Sequence, residues 1–260
     1  MAKHRRTRGQ SNLYVYGIVP ADVHVAEDVQ GVGDPPGHVT VIREGDIAAL
    51  VSPVTPNGRP LGTPEDLTAY ASLLDATATE LPVLPIRFGA VLRDETAVRT
   101  ELLAEHHDDF AAALEDLDGK AQYVVKARYQ QDAVLREVLA ENPDAARLRE
   151  RIRGVSEDAG RQDRIALGEL IEQAIAGKRA HDTEQVVHAL DGHALRISVR
   201  EPTHEHDAAH VAFLAEIARQ GDLEEAVGRL ADEWSGRVDV RLLGPLAAYD
   251  FVITTQGQEA

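Results

Sequence analysis

Apolar residues follow two rhythms along this chain, and the switches between them mark its elements. Residues 13–19, L-Y-V-Y-G-I-V, form a continuous apolar and aromatic run closed by Pro20, the form of a buried strand. Residues 38–42 and 47–51, separated by Glu44-Gly45-Asp46, predict a hairpin. The period then lengthens to that of a helix, with Leu67, Tyr70, Ala71, Leu74 and Ala78 on one face. Ahead of them, Thr63-Pro64-Glu65-Asp66 supplies a capping hydroxyl, a proline at the first helical position and carboxylates near the positive end of the helix. Residues 81–92 are apolar again and predict a strand, with Arg87 on the same face as Val83 and Val91. A second helix is predicted over residues 94–117, its stripe formed by Val98, Leu102, Leu103, Phe110, Ala113, Leu114 and Leu117, before Asp118-Gly119 turns the chain.

The second half repeats the alternation. Tyr123, Val125 and Ala127 recur at period two, then helical segments follow at 134–139 and 143–152. A longer helix carries Leu167, Leu170, Ile171, Ala174 and Ile175, and a separate shorter one carries Val186, Val187 and Leu190. Two strands are predicted at 194–200 and 208–217, then an amphipathic helix through Leu223, Ala226, Val227, Leu230, Ala231 and Trp234. In the last strand Val238, Val240 and Leu242 alternate with Asp239 and Arg241, and Gly244-Pro245 is expected to end it at Leu243. Strand, helices, strand, strand, helix, strand is the βαββαβ order of a ferredoxin-like domain with helices inserted in its first crossover. The expected fold is therefore α+β in two domains: a flexible basic arm (1–12), an N-terminal α+β sheet domain (13–118), the ferredoxin-like domain (119–244), and a tail (245–260) folded back on the core through Leu246, Tyr249 and Phe251.

Composition narrows the function. A length of 260 residues suits two domains of ordinary size. The formal charge of −17, from 44 acidic and 27 basic residues, repels nucleic acid and anionic membranes. The absence of cysteine removes disulfides and thiolate metal sites and makes the cytoplasm the expected compartment. No window is apolar for long enough to span a membrane, and the basic arm is followed by no apolar run of the signal-peptide kind.

Three stretches invite chemistry. Gly31-Val32-Gly33 is followed by Pro35-Pro36 where a phosphate-binding helix would start, so a nucleotide turn is rejected. His204, His206 and His210, beside Glu205 and Asp207, are weak candidates for zinc or nickel; Ala208, where the second histidine would stand, excludes the metalloprotease motif, and a polar loop is the simpler account because the ligands diverge if His210 lies in a strand. Arg87, in an apolar strand, must either pair with a carboxylate or reach a partner. His106 lies near the stripe of its helix as a boundary histidine, and no nucleophile elbow or phosphate loop is present.

Three segments are similar to one family. Tyr14-Val15-Tyr16-Gly17-Ile18 resembles the opening of the gas vesicle protein F/L family, and Leu81-Pro82-x-x-Pro85-Ile86-Arg87-Phe88-Gly89 its central strand motif. Leu242-Leu243-Gly244-Pro245-Leu246 followed by Tyr249-x-Phe251-Val252 resembles its C-terminal signature, with Ala248 where the family usually has proline. What the resemblance implies is a non-enzymatic accessory protein of gas vesicle assembly, without cofactor. Its expected partner is the small hydrophobic shell protein, with other gas vesicle accessory proteins as further candidates, and its motif residues Tyr14, Tyr16, Gly17, Pro85, Arg87, Phe88, Gly89, Gly244, Pro245, Tyr249 and Phe251 are candidate partner contacts. The alternative is a small-molecule enzyme or metal-binding regulator on a ferredoxin-like scaffold, which requires Arg87 and the histidine loop to meet in one pocket.

Overall fold

A computed structural model describes residues 12–26, 28–55 and 59–252; the basic arm, apart from Asn12, and residues 253–260 lie outside the described residues. The fold is mixed α and β, and the chain divides into two compact units, residues 1–122 with 244–260 and residues 123–243.

The first unit is built on strand β1 (Asn12–Pro20). Its run of apolar and aromatic residues suits a central position, and β1 pairs antiparallel on both sides. On one side lies the hairpin of β2 (Thr40–Glu44) and β3 (Ile47–Val54), joined through Gly45 at a φ of 60°. The β1–β3 register shifts between Val15 and Gly17, so Tyr16 is the extra residue of a bulge. Helix α1 (Pro64–Ala78) starts at a capping box in which Thr63 Oγ1 accepts from the Asp66 N–H and the Asp66 carboxylate accepts from the Thr63 N–H.

The apolar stretch expected to be one strand is not one. It makes two short pairings with the far side of β1, β4 (Leu84–Pro85) and β5 (Val91–Leu92), with a loop between them. Prolines 82 and 85 lack the N–H a ladder needs, and Gly89 turns the chain at a φ of 93°. The helix expected over residues 94–117 is also divided. A single turn, α2 (Glu95–Ala97), runs into a π-helical stretch, Val98–Ala104, and α3 (His107–Leu117) follows. Bonds of the i→i+5 type bring residues five apart onto one face, and Val98 and Leu103 are both fully buried there.

The second unit contains a four-stranded sheet in the order β7-β8-β6-β9: β6 (Lys120–Tyr129), which begins in the first unit, β7 (Arg196–Val199), β8 (Asp207–Glu216) and β9 (Val238–Leu246). Between β6 and β7 come α4 (Gln131–Glu141), α5 (Pro143–Ile152) and α6 (Arg161–Ala189); α7 (Gln220–Glu233) links β8 to β9. The two helices expected around Ile171 and Val187 are one helix of 29 residues, α6. Gly177 is the weakest former between them and contains no proline-like block, so it lowers helix propensity by about 1 kcal/mol without breaking the ladder. Strand β9 likewise continues past Leu243, through Gly244 and Pro245 to Leu246. It ends the sheet order, and a proline is tolerated on an edge strand where no neighbour requires its N–H.

Candidate functional site

Five aromatic side chains from distant parts of the chain meet in the core of the first unit. Tyr14 and Tyr16 of β1 have ring centroids 4.8 Å apart. Phe88 stands edge-on to Tyr14 at 5.8 Å and to Tyr70 of α1 at 5.4 Å, and Tyr249 lies 6.4 Å from Tyr70. Such tilted and edge-on rings add to the stabilisation from area alone. Each buried hydroxyl also has a partner. The Tyr70 hydroxyl donates to the Ile86 carbonyl at 2.7 Å, and the Tyr14 oxygen accepts from the Gly89 N–H at 3.0 Å. The Tyr16 oxygen accepts from the Val32 N–H at 2.7 Å and shares a 2.7 Å bond with Ser52 Oγ. Burial pushes the Tyr70 hydroxyl up to about 12 and raises Tyr14 and Tyr16 as well, which keeps these groups neutral. Gly17 permits the close packing of β1, since a Cβ there would stand 2.8 Å from the Leu84 carbonyl oxygen and 2.9 Å from Leu74 Cδ2.

These bonds fix the loop between β4 and β5. Besides the two tyrosine contacts, the Ile86 N–H donates to the Tyr16 carbonyl at 2.9 Å, the Val15 N–H to the Ala90 carbonyl at 2.9 Å, and the Ala90 N–H to the Arg87 carbonyl at 3.2 Å. The loop backbone is tied at nearly every residue, yet Arg87 is exposed. The expected strand geometry and ion pair are both absent: Arg87 lies in the loop, and among the described residues no carboxylate pairs with it. Beside it opens a cleft of about 380 Å³ lined by Leu84, Phe88, Val91, Leu102, Phe110 and Val252, with Arg87 and His106 also in its wall. The His106 and Phe110 rings lie 5.7 Å apart. A mainly apolar cleft beside an unpaired cation on a rigid loop suits an amphipathic ligand better than it suits acid–base chemistry.

The C-terminal signature closes the same unit. The Asp75 carboxylate of α1 accepts from the Ala247 N–H and from the Tyr249 hydroxyl, both at 3.0 Å, and the Asp250 N–H donates to Gln122 Oε1 at 2.9 Å. Burial raises Asp75, opposed by those two hydrogen bonds, and burial with the neighbouring Asp75 charge raises Tyr249, so the phenol stays a donor. Ala247 and Ala248 are buried and Phe251 is half-buried. Thus Tyr14, Tyr16, Gly17, Pro85, Phe88, Gly89 and Tyr249 build or brace one core and its loop, and Arg87 alone of the motif side chains stands out from it unpaired. Gly244 and Pro245 lie in β9, away from the cleft lining. The sequence placed Tyr70 on the apolar face of an ordinary helix and did not single out Asp75; their signal was polar atoms on or beside that stripe.

The histidines lie in the second unit. His210 is in β8, its Nε2 3.1 Å from Arg200 Nη1, while His204 Nδ1 accepts from the His206 N–H at 3.2 Å. The loop is organised by buried Asp207, whose carboxylate accepts from the Thr203 N–H and hydroxyl, the His204 N–H and Arg128. Among the described residues no three histidine, aspartate or glutamate side chains are grouped to hold a metal ion. Unsuspected from sequence, Arg237 of the same unit grips buried Asp182 with two bonds of 3.0 and 2.8 Å, and Tyr129 donates to that carboxylate at 2.6 Å.

The profile of the family described as gas vesicle synthesis protein GvpL/GvpF matches residues 12–253. The chain belongs to this family. Gas vesicle protein F of Streptomyces sp. (strain CB03234) is 34% identical over 244 residues, covering 93% of this chain and 99% of that one. Gas vesicle protein F of Dolichospermum flosaquae is 24% identical over 241 residues, 92% of this chain and 96% of its own. The crystal structure of GvpF from Anabaena sp. PCC7120 superposes with a TM-score of 0.75 at 22% identity, over 95% of this chain and 100% of that one, and so shares the fold. Members of the GvpL/GvpF family are gas vesicle accessory proteins and not a known enzyme family, and no described helix is long and apolar enough to cross a membrane.

Proposed function

We propose that this GvpL/GvpF protein acts in the assembly of gas vesicles, in the cytoplasm, by holding the small hydrophobic shell protein before its incorporation, with other accessory proteins as further partners. The observation that carries the reading is the apolar cleft beside the pinned loop, from which Arg87 projects with no ion-pair partner among the described residues. A shell subunit with an apolar face aggregates if left in water, and each large apolar side chain covered by the cleft contributes about 1.5–3 kcal/mol. Arg87 then selects a segment carrying a carboxylate next to its apolar residues. The function is binding, not catalysis. The division into an N-terminal α+β domain and a C-terminal ferredoxin-like domain with inserted helices belongs to the same reading, supported by a strand order that puts the unit's first strand between its third and fourth.

The test is co-purification from cells that express both proteins, comparing wild type with Arg87→Glu. The exposed position of Arg87 leaves the fold intact, checked by circular dichroism. A complex held by wild type and lost in the variant supports the cleft as the contact. Failure of the wild-type protein to retain the shell protein, with both folded, overturns the proposal.

A further inference from the structure

Strand β7 of the second unit carries an apolar stripe at the open edge of its sheet. Ile197 and Val199 alternate there and leave 38% and 57% of their surfaces exposed, and Leu195, just before the strand, leaves 51%. Ile197 and Val199 form one wall of a groove of about 430 Å³, and Val187 and Leu190, from the C-terminal end of α6, form the other. Because β7 ends the sheet order, no strand among the described residues lies beside its outer edge. The Arg200 N–H donates to the His210 carbonyl at 2.9 Å, and β7 pairs with β8 through Ser198↔Ala212 and Arg196↔Leu214. In an antiparallel ladder, bonded residues alternate with residues whose N–H and C=O point the other way, so the backbone groups of Ile197 and Val199 face the open edge. The same two residues therefore offer both apolar side chains and unused hydrogen-bonding groups. Proteins commonly protect such edges because they accept another strand.

The groove also has a charge. Glu184 and Asp191 stand in its lining, and neither has an ion-pair partner among the described residues. We infer that β7 receives an extended segment of a basic partner as an added strand. Alternate apolar side chains of that segment enter the groove against α6, its backbone bonds Ile197 and Val199, and lysine or arginine beyond the apolar core meets Glu184 and Asp191. Charge complementarity favours this occupant over a second copy of the chain. Each copy carries a formal charge of −17, and a symmetric pairing along β7 would bring two sets of Glu184 and Asp191 to one seam. This surface belongs to the second unit and does not depend on shell-protein binding at the cleft of the first.

The probe is a labelled synthetic peptide, Lys-Lys-Val-Thr-Val-Thr-Val-Lys-Lys, titrated into the full chain at low salt and followed by fluorescence anisotropy. Binding is expected to weaken about tenfold or more in Val199→Lys, a change at an exposed position that circular dichroism should show to be folded. The double variant Glu184→Gln, Asp191→Asn, or a rise in salt to about 0.5 M, should weaken it by a similar factor. In the wild-type protein, bound peptide should slow amide exchange at Ile197 and Val199, a readout that needs no variant. The inference is overturned if the peptide does not bind, if a version with glutamate for every lysine binds equally, or if methylation of its alternate backbone nitrogens changes nothing. A concentration-dependent dimer abolished by Val199→Lys would also overturn it, by giving the edge to a second copy.

Discussion

Asp66→Asn tests the least visible support of the motif loop. The Asp66 carboxylate is 2% exposed and accepts from the Gly33 N–H at 3.0 Å, the Gly62 N–H at 3.0 Å and the Thr63 N–H at 3.2 Å, while Arg59 grips it with bonds of 2.6 and 2.9 Å. It thereby ties two loops to the start of α1, the helix that carries Tyr70 and Asp75. An asparagine of the same shape turns an NH₂ toward donors and removes the charge that Arg59 meets. Arg59, itself partly exposed, loses its charged partner, and at least one buried N–H is left unsatisfied, a destabilisation of about 1–3 kcal/mol. The dependence on pH gives a second check. The Arg59 guanidinium, opposed by burial and helped by the three backbone N–H groups, holds Asp66 well below the usual carboxylate range. A folded pKa below the unfolded value of about 3.9 means a contribution fully present at neutral pH and lost as the pH falls below about 4 toward the folded value. Urea unfolding at pH 7 and at pH 3, with amide exchange at Gly33 and Gly62 to localise the change, should show a large gap between wild type and variant that narrows in acid. A variant within about 0.5 kcal/mol of wild type at pH 7, or a gap that widens in acid, would refute the account.

Gly17→Ala places a methyl against the Leu84 carbonyl and Leu74, and is expected to cost about 1–3 kcal/mol in urea unfolding while loosening the β1–β4 pairing, visible as faster amide exchange at Ile86. Tyr249→Phe deletes the hydroxyl that donates to Asp75 and should cost about 1.5–3 kcal/mol, the range for a hydrogen bond to a charged group, with little change in far-ultraviolet circular dichroism; an unchanged urea midpoint would show the bond to be dispensable.

The parts of this structure that were legible in sequence are those fixed by local chemistry. Thr63-Pro64-Glu65-Asp66 names the start of α1 because each residue type answers a need of a helix terminus, and the hairpin around Gly45 needs only a turn between two apolar runs. What failed was set by neighbours far away in sequence. The stretch 81–92 has the composition of a strand, but its prolines leave too few N–H groups for a ladder, and β1 takes only its two ends. The π-helical turns at 98–104 leave almost no mark in periodicity, since the same apolar residues fit an α-helical stripe approximately. Gly244-Pro245 reads as a stop, but its meaning depends on whether the strand lies inside a sheet or at its edge, which no local pattern states. The same limit applies to the site. Motif residues could be picked out, but their division into core and surface could not, because Tyr70 and Asp75, which brace them, sit on a helix with an unremarkable pattern.

That division bears on how the GvpL/GvpF motifs should be read. Most motif residues here are structural by geometry: Tyr14, Tyr16 and Phe88 are ring partners, Gly17 makes room, Gly89 turns the loop, and Tyr249 anchors the tail. Substituting any of them disturbs the cleft indirectly, so a loss of binding in such a variant says nothing about contact. Arg87 differs in having no structural partner among the described residues, so its replacement has little stability to lose. A set of variants across the motif should therefore separate cleanly. Stability and binding should fall together at Gly17 and Tyr249, and binding alone at Arg87. If Arg87→Glu instead destabilised the fold as much as Tyr249→Phe, the arginine would have a buried role that its exposed side chain contradicts, and the cleft would lose its proposed means of selecting a charged partner.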